Sequence, residues 1–438
     1  MLGRIAFKNT VKNWRHSISA LLSLAASFVS LVLFDGYMDN VKSIYYENSR
    51  HRLMLGDVMI ENRDFYSNDG IAEPWRFWIS KQEQEDMLAF TQKHRSLVRN
   101  VVKILTFQGL LTNGKGSHIF MARAYDVESG MRMRGEIWKW NTLFGIPLDQ
   151  TKDRMSILLG QGLARQLGCQ LTKDENSILP EGGYKPVARP FNCPFTDVQV
   201  STTTPDGQLN AIDLTTIGIV DAGYKDVDDR YFQTSMEAAQ SLLNTESVAT
   251  ITIELADSRD INSFIQLFQN EFGSKYPHLQ IQPWQSHRVG EMYVRTMDFL
   301  SIFRNFIIIV ILIVSTMSVL NTMIKIVKER TREVGTLRSL GFTKRQISQI
   351  FLYESLYLSF IGSGIGVGLS LLITFGLNAA NIKYRAGLLS EPITFHISFI
   401  LKGYLTAWIL LMVVSISASY FATMSTLKGK IVENLSHV

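Results

Sequence analysis

The stretch KERTREVGTLRSLGFTKRQI (Lys328–Ile347) decides how this chain is read. Lys328, Glu329, Arg330, Arg332, Glu333 and Arg338 crowd its first half, yet Val334, Leu337 and Leu340 are threaded among them. On both sides the chain turns apolar. Asn305–Ile324 before it and Ser355–Ile382 after it contain no Asp, Glu, Lys or Arg. A charged segment held between two such runs is a loop at a membrane surface. What its interleaved apolar residues meet there is the functional question.

Two further runs, Ser17–Phe34 and Gly403–Leu427, are also free of charge, in a chain that is 46% hydrophobic and only 19% charged. About 20 residues of helix cross a hydrocarbon core of roughly 30 Å. A helix satisfies its own backbone hydrogen bonds, which a segment in lipid must do. The expected fold class is therefore a multi-pass α-helical membrane protein with four transmembrane helices and a large α+β extracytoplasmic domain of two subdomains. The first run follows Arg4, Lys8, Lys12 and Arg15 but is long for a signal-peptide core and lacks an A-x-A cleavage site, so it reads as a retained anchor.

Basic residues cluster before the first run, in the loop between the second and third (Lys325, Lys328, Arg330, Arg332, Arg338, Lys344, Arg345), and at Lys428 and Lys430. The positive-inside rule places all three regions in the cytoplasm. The expected order is a cytoplasmic segment 1–16, helix 17–39, periplasmic domain 40–297, helix 298–325, cytoplasmic loop 326–350, helix 351–380, periplasmic loop 381–400, helix 401–427 and tail 428–438. The net charge of +5 sits largely in these flanks, which face an anionic leaflet, so nucleic acid is not an expected partner.

Within 40–297, strand character is expected at Arg52–Ile60, Val98–Leu111, Ser117–Tyr125, Val248–Leu255 and Leu279–Gln282. Helices are expected at 81–94, after a Ser80/Glu83 capping box, and at Asp260–Phe272. Asn113-Gly114 reads as a hairpin turn. These pieces form an α+β subdomain of 40–125 and 241–297. The stretch 126–240, richer in Gly, Pro, Thr and aromatic residues, reads as a mostly β subdomain inserted into it. Phe34, Met38, Val41, Tyr45 and Asn48 follow the first span at helical spacing, and Val289, Met292, Thr296, Phe299 and Phe303 precede the second. A helix from about 286 to 328 would be on the order of 60 Å long. A short span plus a separate docking helix is the alternative.

No catalytic or cofactor-binding constellation emerges, and no metal set. GLLTNGKGS (Gly109–Ser117) fails the P-loop pattern at Gly116, where a Mg²⁺-binding hydroxyl belongs. GQGLARQLG (Gly160–Gly168) lacks the third glycine of a dinucleotide fingerprint and reads as strand, turn and helix with a glycine cap. DAGYKDVDDRY (Asp221–Tyr231) lacks calcium-loop spacing and reads as a solvated turn. H-E-x-x-H and G-x-S-x-G are absent from the sequence. Cys169 and Cys193 are the only cysteines. In an oxidising compartment they can pair, and two buried free thiols are the alternative.

SVLNTMIKIVKERTREVGTLRSLGFTKRQISQIFLYESLYLSFIGSGIGVGLSL (Ser318–Leu371) resembles the permease domain of the FtsX/MacB/LolC superfamily, the type VII ABC transporters. ILLGQGLARQLG, GIVDAGYKDVDDRYFQTSMEAAQSLL and the terminal GKIVENLSHV resemble other segments of the same family, the first two in its MacB-like periplasmic core. The resemblance implies a bacterial inner-membrane permease without a fused ATPase. It implies a cytoplasmic ABC ATPase partner, which binds ATP and Mg²⁺, and a second permease in a homodimer or heterodimer. Membrane lipid, and a periplasmic adaptor or lipoprotein carrier, are further partners it allows. Substrate extraction or export is the implied function, with an FtsX-like transducer acting on a cell-wall hydrolase as the alternative. A membrane-anchored enzyme is disfavoured by the missing catalytic set.

The resemblance also assigns Glu329, Arg330, Glu333, Val334, Gly335, Leu337, Arg338, Leu340 and Gly341 to coupling with the ATPase. On a helix, Val334, Leu337, Leu340 and Gly341 make an apolar ridge with a charged rim, the arrangement of a protein interface. From the residues alone, an interfacial helix lying on lipid headgroups reads equally well. Leu337 is the expected centre of the ridge, and Glu354 is the acid nearest a span interior. Gly362, Gly364, Gly366 and Gly368 would allow close helix packing, or else form a lipid-facing surface.

Overall fold

The computed structural model describes residues 3, 6, 14–172, 179, 183–223, 225–384 and 392–426. Most of the expected N-terminal segment, with its basic residues, lies outside the described residues, as does the tail with Lys428, Lys430 and GKIVENLSHV. The chain forms two compact units, one of residues 1–42, 296–382 and 395–438, the other of residues 43–295 and 383–394.

Among the described residues, four helices are long and apolar enough to cross a membrane. They are α1 (Trp14–Glu47), α7 (Glu291–Glu329), α9 (Lys344–Ala379) and α10 (Leu401–Thr426), and a short α8 (Thr331–Ser339) lies between α7 and α9. The chain is thus a multi-pass membrane protein with a large α+β domain outside the bilayer. In the membrane unit, Leu24 and Phe28 of α1, Val319, Met323 and Val327 of α7, Phe351 of α9 and Leu411 of α10 share one apolar core. Two serines fasten α9 to α10 by donating to the other helix's backbone: Ser355 Oγ to the Ser415 carbonyl and Ser419 Oγ to the Phe351 carbonyl, each at 3.1 Å. A hydroxyl finds few other partners in lipid.

The four glycines of α9 do not act alike. A Cβ on Gly362 would stand 2.9 Å from Leu24 Cβ, and one on Gly366 would stand 2.7 Å from Phe28 Cβ. Gly364 and Gly368 meet nothing within 4 Å among the described residues. Residues four apart share a helix face and residues two apart do not. Of these four, Gly362 and Gly366 therefore serve packing among the described residues of this chain, and Gly364 and Gly368 lie on another face of the helix.

In the outer domain the strands are β1 (Val58–Asn62), β2 (Val98–Thr112), β3 (Ser117–Tyr125), β4 (Thr142–Gly145), β5 (Ser156–Gly160), β6 (Asp197–Thr203), β7 (Leu209–Val220), β8 (Tyr231–Ser235), β9 (Thr250–Leu255) and β10 (Leu279–Pro283). Two structures meet on β2. Its first half joins an open sheet in the order β10-β1-β9-β2. Its second half pairs with β3 and β6, and the pairs β3–β8, β8–β5, β5–β7 and β7–β6 close a ring. Inside that ring, Phe120 packs on Phe232 with centroids 4.7 Å apart, and Phe107 packs edge-on to both. Helices α2 (Lys81–Lys93) and α6 (Ile261–Phe272) meet through Phe90, Phe264 and Phe272. The expected boundary at 125/126 does not separate two sheets, because β2 is 15 residues long and serves both.

The strand expected at Arg52–Ile60 begins only at Val58. Helix α1 instead runs into a π-helical turn, Asn48–Arg52. The chain then bends through Met54 (φ 55°) and Gly56 (φ 62°), where a Cβ would meet the Ile253 carbonyl oxygen at 2.5 Å. The long helix expected before and through the second span is present, unbroken from Glu291 to Glu329, and Val289, Met292, Phe299 and Phe303 of its stripe are exposed in the single chain. It is Met297 that is buried.

Candidate functional site

Helix α7 stops at Glu329, and Arg330 leaves the helical region with φ −102° and ψ 21°. The reason lies in its side chain. Arg330 Nη1 donates to both carboxylate oxygens of Glu354, at 2.8 Å each, and Nε donates to Glu333 at 2.6 Å. The guanidinium also stands 5.2 Å from the centre of the Phe351 ring. Burial alone would lower the pKa of Arg330, but the carboxylates of Glu354 and Glu333 outweigh it and hold the group above its ordinary range. Arg330 is therefore a fixed cation tying the loop to α9.

Helix α8 closes by a Schellman motif: Phe342 N–H donates to the Leu337 carbonyl at 3.0 Å and Gly341 N–H to that of Arg338 at 3.1 Å. The motif needs a left-handed residue after the cap, and Gly341 has φ 94°. Leu337 and Phe342 pack against the membrane unit's core, as its hydrophobic clasp. Thr343 then caps α9 in a reciprocal box with Gln346. The fixed ends present one surface of α8 outward.

The expected apolar ridge is thereby redrawn. Val334 and Gly335 are buried, and Leu337 is half-buried beneath the helix. Gly341 is exposed but serves the backbone. Leu340 is 71% exposed and is the apolar residue that faces away from the core. Around it lie exposed Arg332, Glu333, Thr336 and Ser339, with Arg338 half-buried. Glu329 lies 3.9 Å from Lys325 on the preceding turn. Arg330, read as rim, is instead an internal tie.

Residues 305–429 match the FtsX-like permease C-terminal family. The membrane part of this chain is thus similar to an FtsX-like permease domain. The macrolide export ATP-binding/permease protein MacB of Escherichia coli O157:H7 is 26% identical over 173 residues, which is 39% of this chain and 26% of that protein. MacB of Escherichia coli K12 matches to the same extent. The chain thus spans about a quarter of the length of the curated relatives it matches. Among solved structures, the periplasmic region of MacB from Actinobacillus actinomycetemcomitans is similar at 14% identity and TM-score 0.33, over 56% of this chain and 92% of that one. The extracellular domain of the Gram-positive transporter YknZ is similar at 13% identity and TM-score 0.32, over 51% of this chain and 99% of that one.

Beyond the FtsX-like domain, one expected feature changes character. Asp221 is not solvated: it is 2% exposed and forms an ion pair with Arg52. It also accepts from the Tyr184 hydroxyl at 2.8 Å and from Gly223 N–H at 2.8 Å. Burial raises its pKa, but Arg52 and these donors outweigh burial and hold it below the ordinary carboxylate range. Arg52 donates as well to Asn141 Oδ1 at 2.8 Å. The cation that this acidic segment holds is thus a guanidinium, supplied from 169 residues away. Cys169 and Cys193 form a disulfide. No group of three or more His, Cys, Asp or Glu side chains with metal-binding geometry occurs among the described residues.

Proposed function

We propose that this permease couples ATP binding and hydrolysis by a separate cytoplasmic ABC ATPase to movement of its outer domain, for extraction or export of a lipoprotein, lipid or other substrate. The observation that carries the reading is the α8 loop: a short helix locked at both ends, tied inward by Arg330–Glu354, and presenting Leu340 outward within a polar rim. A movable partner needs a rigid lever to push, and a lever tied to α9 passes the push into the membrane helices. The permease acts with a second permease subunit in a bacterial inner membrane. ATP and Mg²⁺ belong to the ATPase. An adaptor or lipoprotein carrier joins on the outer side.

The test is co-expression with a candidate ABC ATPase subunit from the same organism. The expected result is a stable complex with vanadate-sensitive ATP hydrolysis, and none by the isolated chain. Hydrolysis by the isolated chain, or no association, overturns the proposal. Orientation is checked in a cysteine-free background: Lys115→Cys reacts with an impermeant maleimide in whole cells and Ser339→Cys does not. The match to the FtsX-like family supports a second reading, a transducer that activates a cell-wall hydrolase. Hydrolase recruitment by the outer domain, without any transported substrate, favours that reading.

A further inference from the structure

The loop-side mouth of the membrane unit contains a cavity of about 570 Å³ between α9 and α10. Lys344, Ser348 and Leu352 line it at intervals of four residues, Arg345 stands beside them, and Tyr420 and Met424 line it from α10. The two helices are fastened just beyond this point by the Ser419–Phe351 bond. We infer that this cavity binds the headgroup and glycerol region of an anionic phospholipid from the leaflet that meets the α8 loop.

Charge selects the occupant. No Asp or Glu among the described residues lines the cavity. Neither Lys344 nor Arg345 pairs with an acid among the described residues. Both lie in the first turn of a 36-residue helix, whose dipole adds to their positive field. Ser348 is only 7% exposed, and its hydroxyl has no hydrogen-bond partner among the described residues. A phosphodiester satisfies two cations and a hydroxyl donor together. Below the basic rim, Leu352, Met424 and the Tyr420 ring offer an apolar floor, which a soluble anion does not need and a glycerol backbone with its first methylenes does. Basic pockets between membrane helices recognise anionic headgroups in this way.

The cavity at the other end of the unit is a contrast. It measures about 380 Å³ and is lined by Arg304 and Lys402, but also by Asp35. Asp35 lies 3.3 Å from Arg304 and already neutralises that cation.

The experiment is native mass spectrometry of the full chain released from nanodiscs containing equal amounts of phosphatidylglycerol and phosphatidylcholine. Phosphatidylglycerol is expected to be retained preferentially. Lys344→Gln with Arg345→Gln should weaken its retention about thirtyfold, the equivalent of about 1 kcal/mol for each charge. Leu352→Trp, which fills the floor and leaves both charges, should also abolish the preference. Lys402→Gln should leave it intact. Equal retention of the two lipids by the wild type overturns the inference, as does a preference that survives both cavity variants. A preference lost equally with Lys402→Gln also overturns it, because the effect is then general surface charge. Displacement of the lipid by excess inorganic phosphate reassigns the cavity to a soluble anion.

Discussion

Arg330 Nη1 stands 2.8 Å from both carboxylate oxygens of Glu354, so the junction between the second span and α8 is tied to the third span. Each partner is largely withdrawn from solvent, with side-chain exposures of 12% and 6%. Removing one member of such a pair leaves the other charged and unsatisfied, at a cost of about 3–5 kcal/mol. Arg330→Ala should lower the melting temperature of the purified permease and uncouple ATP hydrolysis from transport. The double change Arg330→Met with Glu354→Leu should recover most of the stability, since a packed apolar pair can replace a buried ionic one. It should not recover coupling if the charge fixes the loop's angle. A double variant as unstable as Arg330→Ala would show that the pair is needed for the fold itself.

The outer domain should lose stability in acid through Asp221 and Glu254. Both have pKa values held below their ordinary values of 3.8 and 4.5. For Glu254, burial pushes the value up, and hydrogen bonds from His51 and Asn100 outweigh it. A carboxylate with a depressed folded-state pKa stabilises the fold fully above its unfolded pKa, and that contribution vanishes as pH falls through the folded one. The contribution of these two carboxylates should therefore be flat from pH 7 to about 5 and fall steeply below about 4, whereas that of His51, whose pKa is raised to about 9, is lost as pH rises toward that value. Asp221→Asn should lower stability at pH 7 and flatten the acid limb. An unchanged limb would exclude Asp221 as a major contributor.

Helix packing offers a comparison within one helix. Gly366→Leu puts a branched side chain where a Cβ already falls 2.7 Å from Phe28 Cβ, and overpacking typically costs 1–3 kcal/mol. Gly364→Leu enters open space. The first should reduce the yield and thermal stability of purified permease, and the second should leave the monomer fold intact. Loss of a dimer by Gly364→Leu alone, with the monomer still folded, would place that face against a second copy.

Local signals in the sequence located most elements. The Ser80/Glu83 box starts α2 as read, and Asn113-Gly114 turns β2 into β3. The four spans follow from uncharged runs that polar groups cannot interrupt cheaply in lipid. Long-range pairing left no such trace. Nothing near DAGYKDVDDRY says that Arg52 will reach Asp221, and composition alone made that segment a turn in water. The closing of a ring on the far half of β2 is likewise a matter of strand partners, which periodicity does not encode. In the α8 loop, apolar spacing identified a helix but not which side of it faces the core. Gly341 held the missing clue: a glycine followed by Phe342 marks a Schellman terminus, whose clasp must draw Leu337 inward.

That geometry moves the decisive substitution from Leu337 to Leu340. Leu337 is half-buried against the membrane unit's core, so Leu337→Asp should damage folding and coupling together and distinguish nothing. Leu340 is 71% exposed, and its side chain contributes little to the fold. Leu340→Asp should leave expression, membrane insertion and melting temperature within error of wild type. If Leu340 fills a pocket on the ATPase, the aspartate carries a charge into that pocket, and a buried interface anchor lost in this way costs about 2 kcal/mol or more. Association with the ATPase, measured by titration in detergent, should weaken at least about thirtyfold. Thr336→Asp, on an exposed position one turn earlier, is the control and should weaken it far less. Wild-type association and wild-type coupled turnover in Leu340→Asp would remove α8 from the ATPase interface and leave it as a helix resting on lipid headgroups.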